Sequence, residues 1–170
     1  MDKTLIIALI SPILITIGGL ITWLIKSKKD DLLLSEERSR EFKIKTYEEL
    51  LEPFITVFAF AIPEKEKQKG INKIKSLQYR KASFNLMTFG SDDVVKSYNK
   101  IMQAFFSVKA EDFSDEEEYP ILMLTLISDL LLNIRKDLYL KKTDLMRSEM
   151  LEAMITDIKK YENIINSKKL

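Results

Sequence analysis

The stretch LIIALISPILITIGGLITWLI, residues 5–25, carries no charged side chain over 21 consecutive positions. As a helix rising ~1.5 Å per residue it measures about 31 Å, matching a hydrocarbon core of about 30 Å. The reading is one N-terminal transmembrane helix that begins at Leu5. The run is longer than the apolar core of a cleaved signal peptide, and no small-residue cleavage site precedes Lys26. Trp23 stands at the end of the run, where an interfacial aromatic belongs. Lys26, Lys28 and Lys29 follow it, whereas Lys3 on the other flank is offset by Asp2. This asymmetry predicts that the N-terminus faces outward and that residues 26–170 lie in the cytoplasm. Pro12 is tolerable in a spanning helix where a hydroxyl such as that of Ser11 satisfies the freed carbonyl. Gly18 and Thr22, one turn apart and beside Gly19, offer a small-residue surface to a second helix. Glycine is also simply common in membrane helices, and that plainer reading is preferred.

Outside the apolar run, about 145 residues remain, enough for one buried core. The expected organisation is therefore an anchor with its flanks, residues 1–28, and one helical domain, residues 29–170. Twenty-seven basic and 26 acidic side chains leave a net charge of +1, without the overall positive excess that marks many nucleic-acid binders. Cysteine and histidine are both absent. Disulfides, thiolate metal sites, most zinc sites and the Ser-His-Asp and Cys-His arrangements are thereby excluded. Four Gly and four Pro are too few for an all-β chain with a turn every ten residues. No Gly-rich phosphate loop, dinucleotide fingerprint or nucleophile elbow occurs. Near Tyr47, Glu48 and Glu49 are adjacent and point apart, and with Glu52 they do not make a converging acid pair. No enzyme activity, cofactor, metal or small-molecule substrate is expected.

Phe42, Ile44, Tyr47, Leu51, Phe54, Phe58 and Ile62 recur at three-to-four spacing after a short charged stalk, which predicts a first bundle helix. Pro53 inside it predicts a kink near Glu49 or a division into two pieces. Pro63 then stops the helix, and residues 64–70, with alternating charge, read as a solvated loop. Ile71, Ile74, Leu77, Phe84 and Met87 resume helical spacing. Gly90, Ser91 and Asp92 form the clearest junction: Gly90 can end one helix in the left-handed conformation, Ser91 can cap the next, and Asp92 with Asp93 favours its positive end. Val95, Tyr98, Met102, Phe105 and Phe106 mark the following buried stripe. Residues 121–132 are nearly all apolar and predict the most buried helix, entered through Pro120. Leu151, Met154, Ile158, Tyr161 and Ile165 predict a last helix from about 143 to 167 with a coiled-coil-like seam. The sum is an all-α chain: one transmembrane helix followed by a cytoplasmic bundle of about five helices, packed as antiparallel neighbours.

Three clusters invite a functional reading. Lys65, Lys67, Lys69, Lys73, Lys75, Arg80 and Lys81, opposed only by Glu64 and Glu66, form the strongest local charge excess and a candidate interaction surface. For lipid headgroups a straight first helix carries this cluster about 50 Å from the bilayer, beyond a Debye length of about 8 Å. For nucleic acid it lacks interleaved aromatics, and no nucleic-acid partner is expected. Glu111, Asp112, Asp115, Glu116, Glu117 and Glu118 read as a solvated acidic segment, since no calcium-loop spacing is present. Arg135 and Asp137, ending the most apolar helix, are candidates for a structural lock or a plain ion pair.

With the anchor, the junction Gly90-Ser91-Asp92-Asp93-Val94 and the run Ile134-Arg135-Lys136-Asp137-Leu138 resemble uncharacterised bacterial membrane-anchored helical-bundle proteins, some described as phage abortive infection proteins. The resemblance covers residues 40–140 and brings no catalytic residue with it; it implies a defence role at the bacterial inner membrane. Two functions are therefore expected in alternative. One is a non-enzymatic module that binds a protein partner or another copy, with the last helix as its assembly surface. The other is a membrane-acting effector of phage defence that oligomerises through bundle and anchor.

Overall fold

The computed structural model describes residues 3–58, 63–107, 117–139 and 143–167; for residues 3–17 and for Val57, Phe58 and Glu64 the backbone alone is described. The described residues form seven α-helices and a short 3-10 helix, with no strand. The chain divides into two compact units, Met1–Phe42 and Lys43–Leu170. Helix α1, Lys3–Phe58, contributes to both.

In the first unit the charged stalk after Lys26 is helical and continuous with the rest of α1. Side chains here are largely exposed, including the apolar Leu20, Ile21, Trp23, Leu24 and Ile25. Thr22 satisfies its hydroxyl within the helix by donating to the Gly18 carbonyl at 2.8 Å. Among the described residues no helix is long and apolar enough to cross a membrane. Most of the expected span, with Leu5 and Pro12, lies in residues 5–17, whose side chains are outside the described set.

In the second unit α1 continues through Pro53, which is fully buried, so the proline does not divide the helix. Tyr47, Leu50 and Phe54 bring its inner face into the core. Helix α2, Glu64–Ile74, replaces the loop expected at residues 64–70. Pro63 precedes it, and its carbonyl accepts from Glu66 and Lys67 N–H groups, so this proline starts a helix. Lys, Glu and Gln are good helix formers, and Lys69 pairs with Glu66 at 2.6 Å one turn away. Alternating charge is compatible with such an exposed helix as readily as with a loop.

Helix α3, Leu77–Phe89, is capped by Ser76, whose hydroxyl accepts from the Tyr79 N–H at 3.1 Å. Only Gly90 and Ser91 separate it from α4, Asp92–Ser107, whose first turn holds Asp92 and Asp93 as expected. Gly90 is not left-handed: its φ of −75° and ψ of 156° are open to any residue. Glycine is needed for room, because a Cβ would stand 2.7 Å from both the carbonyl oxygen and Cδ1 of Leu86. On α4 the buried side chains are Val94, Ser97, Tyr98, Ile101 and Ala104, while Phe106 is exposed. The stripe thus turns by about one position from that expected.

Helix α5, Glu118–Tyr139, is the centre of the bundle and packs along α4. Nine of its residues are buried, more than in any other described helix, as its apolar run predicts. Burial of each Leu or Ile contributes about 1.5–3 kcal/mol. Thr125 and Ser128 are compatible with this core because their hydroxyls donate to the Ile121 and Leu124 carbonyls at 2.7 and 2.9 Å.

The single last helix is not formed. The chain makes α6, Arg147–Leu151, a turn, the 3-10 helix Ile158–Tyr161, and α7, Glu162–Ser167. Arg147 donates to the Ile165 carbonyl at 3.0 Å, and Ser148 N–H to Asn166 Oδ1 at 3.2 Å. Each pair is 18 residues apart, about 27 Å along a straight helix, so the segment must fold back. Leu151, Ile155, Ile158 and Ile165 are buried by that fold and are not a free seam, while Met154 is exposed.

Candidate functional site

Helix α3 has two apolar sides. Tyr79, Ala82 and Leu86 face the core, and Tyr79 donates through its hydroxyl to the Leu50 carbonyl of α1 at 3.4 Å. Leu77, Phe84 and Met87 are 70%, 74% and 47% exposed. At 100° per residue these three fall on the side opposite the buried trio. The stripe legible in the sequence is therefore the outward one.

This outward side is basic as well as apolar. Arg80 and Lys81 stand between Leu77 and Phe84 and are exposed, as is Lys75 before the helix. Residues 67–91 contain six cations and no acid. Of the seven basic residues expected to form one surface, Lys69 pairs with Glu66, and Lys73 pairs with Glu52 of α1. Lys65 is exposed and Lys67 half-buried on α2. The cluster thus splits into a part on α2, of which Lys69 and Lys73 are paired with acids, and an exposed part at Lys75, Arg80 and Lys81.

The candidate lock resolves onto Asp137 alone. Its side chain is 6% exposed, and Lys43 Nζ donates to both carboxylate oxygens at 3.0 Å. The Tyr47 hydroxyl donates to the same carboxylate. Arg135 instead turns outward, its guanidinium 5.8 Å from the Tyr139 ring centre. Lys43 and Tyr47 lie 94 and 90 positions from Asp137, and no local pattern announces them. A second pin also escaped the sequence reading: Arg147 grips Asp129 of α5 through Nε at 2.6 Å and Nη2 at 3.1 Å. An acid inside an apolar helix requires a cation somewhere, but the sequence does not say which one.

Burial raises the ionisation of Tyr47 far above its usual range, reinforced by the hydrogen bond to Asp137 and by that carboxylate's charge. Tyr79 is raised by burial and then by Tyr98. Both stay protonated in the fold, so their contribution is complete below about pH 10 and is lost as pH rises further. We expect stability to fall above about pH 10 by up to about 1.4 kcal/mol per pH unit for each tyrosine. Comparing denaturant midpoints of the wild type and the Tyr47→Phe, Tyr79→Phe variant at about pH 8 and 11 isolates this part from lysine titration.

A polar cleft of about 210 Å³ lies between α4 and α5, lined by Asp93, Lys96, Ser97, Lys100, Leu126, Asp129 and Asn133. Its polar groups serve one another: Asn133 donates to Ser97 at 2.6 Å, Ser97 to the Asp93 carbonyl at 2.8 Å, and Asp129 accepts from Arg147. No buried side-chain nitrogen or oxygen among the described residues lacks a partner. Nor do those residues bring three or more potential metal-ligating side chains together.

The fold and these pins define the class: a small all-α bundle with polar pins and, among the described residues, an exposed apolar side on α3. Comparison with family models, curated proteins and solved structures gives no match for the chain.

Proposed function

We propose that the chain is a membrane-anchored, non-enzymatic protein-interaction module. In this reading residues 5–25 cross the bacterial inner membrane once, with the N-terminus outside, and the bundle works in the cytoplasm. The anchor rests on the sequence: 21 uncharged positions, Trp23 at the boundary and the lysines from Lys26 onward. The internally bonded Thr22 hydroxyl suits such surroundings, since it asks nothing of water.

The observation that carries the interaction reading is the exposure of Leu77, Phe84 and Met87 along one side of α3. Large apolar side chains grouped on a surface lose free energy when covered, and Arg80 and Lys81 between them select for acidic cover. The test places a photo-crosslinking residue at Phe84 and, as control, at the exposed Gln103 of α4, in cells making the full chain. A discrete protein adduct at position 84 alone, weakened by R80E and K81E, is the expected result. No adduct, or equal adducts at both positions, overturns the reading.

The alternative is a membrane-acting effector of phage defence that oligomerises through bundle and anchor. Gly18 and Gly19 favour it in one respect: a Cβ at either meets nothing within 4 Å, leaving room for a second helix. Loss of membrane potential on expression of the assembled protein is its signature, and intact potential removes it.

A further inference from the structure

We infer that the partner on the outward face of α3 is a second copy of this chain, which lays its acidic segment 111–118 along Leu77, Arg80, Lys81, Phe84 and Met87. The inference rests on the preceding reading of that face as a docking surface and specifies its occupant.

Charge complementarity within one sequence is the first argument. Residues 67–91 hold six cations and no acid; residues 111–118 hold six acids and no cation. With the whole chain at +1, these two segments are oppositely unbalanced where the rest is nearly neutral. The acidic segment also contains Phe113, an aromatic suited to an apolar strip. Residues 111–116 lie outside the described residues, so the segment enters by its composition; Glu117 and Glu118 at its end are exposed.

The second argument is that no described part of the chain covers this face. Leu77 and Phe84 are about three-quarters exposed within the single molecule.

The third argument is area. A complete aromatic side chain offers about 150–250 Å², so three partly exposed side chains remain below the about 800 Å² per partner of a stable interface. A two-fold dimer repeats the contact, each copy giving one face and one acidic segment, and so doubles the area. A one-sided peptide contact has no such doubling.

The test uses the full-length protein in lipid nanodiscs, with mass read by analytical ultracentrifugation. One variant carries R80E and K81E, the other E111K, D112K, D115K and E116K. Each alone is expected to weaken dimerisation at least tenfold, because like charges then face each other twice. An equal mixture restores the dimer, since each heterodimer contact again joins opposite charges. Raising salt is expected to weaken the wild-type dimer in the same direction without any substitution.

A monomeric wild type, a dimer indifferent to the swaps and to salt, or a mixture that stays monomeric each overturns the inference. The last outcome includes a contact made within one chain, which only a chain carrying both swaps would repair. If the photo-crosslinker at Phe84 captures a different protein while the chain stays monomeric, self-pairing fails and the docking face stands. If it captures nothing, both fail.

Discussion

Asp137→Ala is expected to lower the free energy of unfolding by about 3 kcal/mol, measured by urea denaturation of the full-length protein. The side chain is nearly fully buried and takes three hydrogen bonds, two from Lys43 and one from Tyr47. Removing it leaves a partly buried ammonium and a buried phenol without their acceptor. Breaking a buried ion pair from one side costs about 3–5 kcal/mol, and the 23% exposure of Lys43 places this case at the lower end, since water recovers part of the charge. The triad ties the C-terminal half of α1 to the end of α5. Replacing Lys43 by methionine together with Asp137 by leucine is expected to cost less than the single alanine, because no charge is then left unpaired. Equal losses in both variants would mean that packing, not the polar pin, carries this contact.

Arg147→Ala has the second large effect, concentrated in one region. Arg147 holds Asp129 of α5 with two hydrogen bonds and the Ile165 carbonyl with a third. Its loss releases the C-terminal segment from the bundle and leaves Asp129 half-buried without its cation. We expect about 2–3 kcal/mol, or roughly 100-fold faster amide exchange in α6 to α7 where exchange is limited by local opening. Helices α3 and α4 are expected to exchange unchanged, and hydrogen–deuterium exchange with mass spectrometry distinguishes the two regions. Arg147→Lys keeps the charge but has no planar fork, so it restores only part of the protection. A continuous last helix, which the heptad-like spacing suggested, would respond little to either substitution.

The all-α class was legible because it depends on averages: few Gly and Pro, no convincing two-residue alternation, and abundant helix formers. The core position of α5 was legible for the same reason, since residues 121–132 have almost no polar side to turn outward. Helix α2 was missed because alternating Glu and Lys suit a solvated helix and a loop equally. The stripe Ile71, Ile74, Leu77, Phe84 and Met87, expected on one helix, is divided at Lys75 and Ser76: Ile71 and the buried Ile74 end α2, Leu77, Phe84 and Met87 lie on the exposed side of α3, and the buried side of α3 uses Tyr79, Ala82 and Leu86. Periodicity finds a face and does not say which neighbour covers it. The small Ala82 and the amphipathic Tyr79 suit close packing with a polar tip satisfied, and neither stands out in a count of large apolar residues.

The sequence by itself determined the helical class, the Gly90–Ser91 junction, the basic excess before it and the acidic segment after α4, because composition and short spacing are local properties. Tertiary structure alone decided that Asp137 meets Lys43 and Tyr47, that Arg147 folds the C-terminus back onto α5, and that α3 turns its strongest apolar stripe outward. These depend on pairs up to 94 positions apart. Which side of a helix is buried, and which cation satisfies a buried acid, is settled by the competition of all elements for one core, and no single segment contains that information.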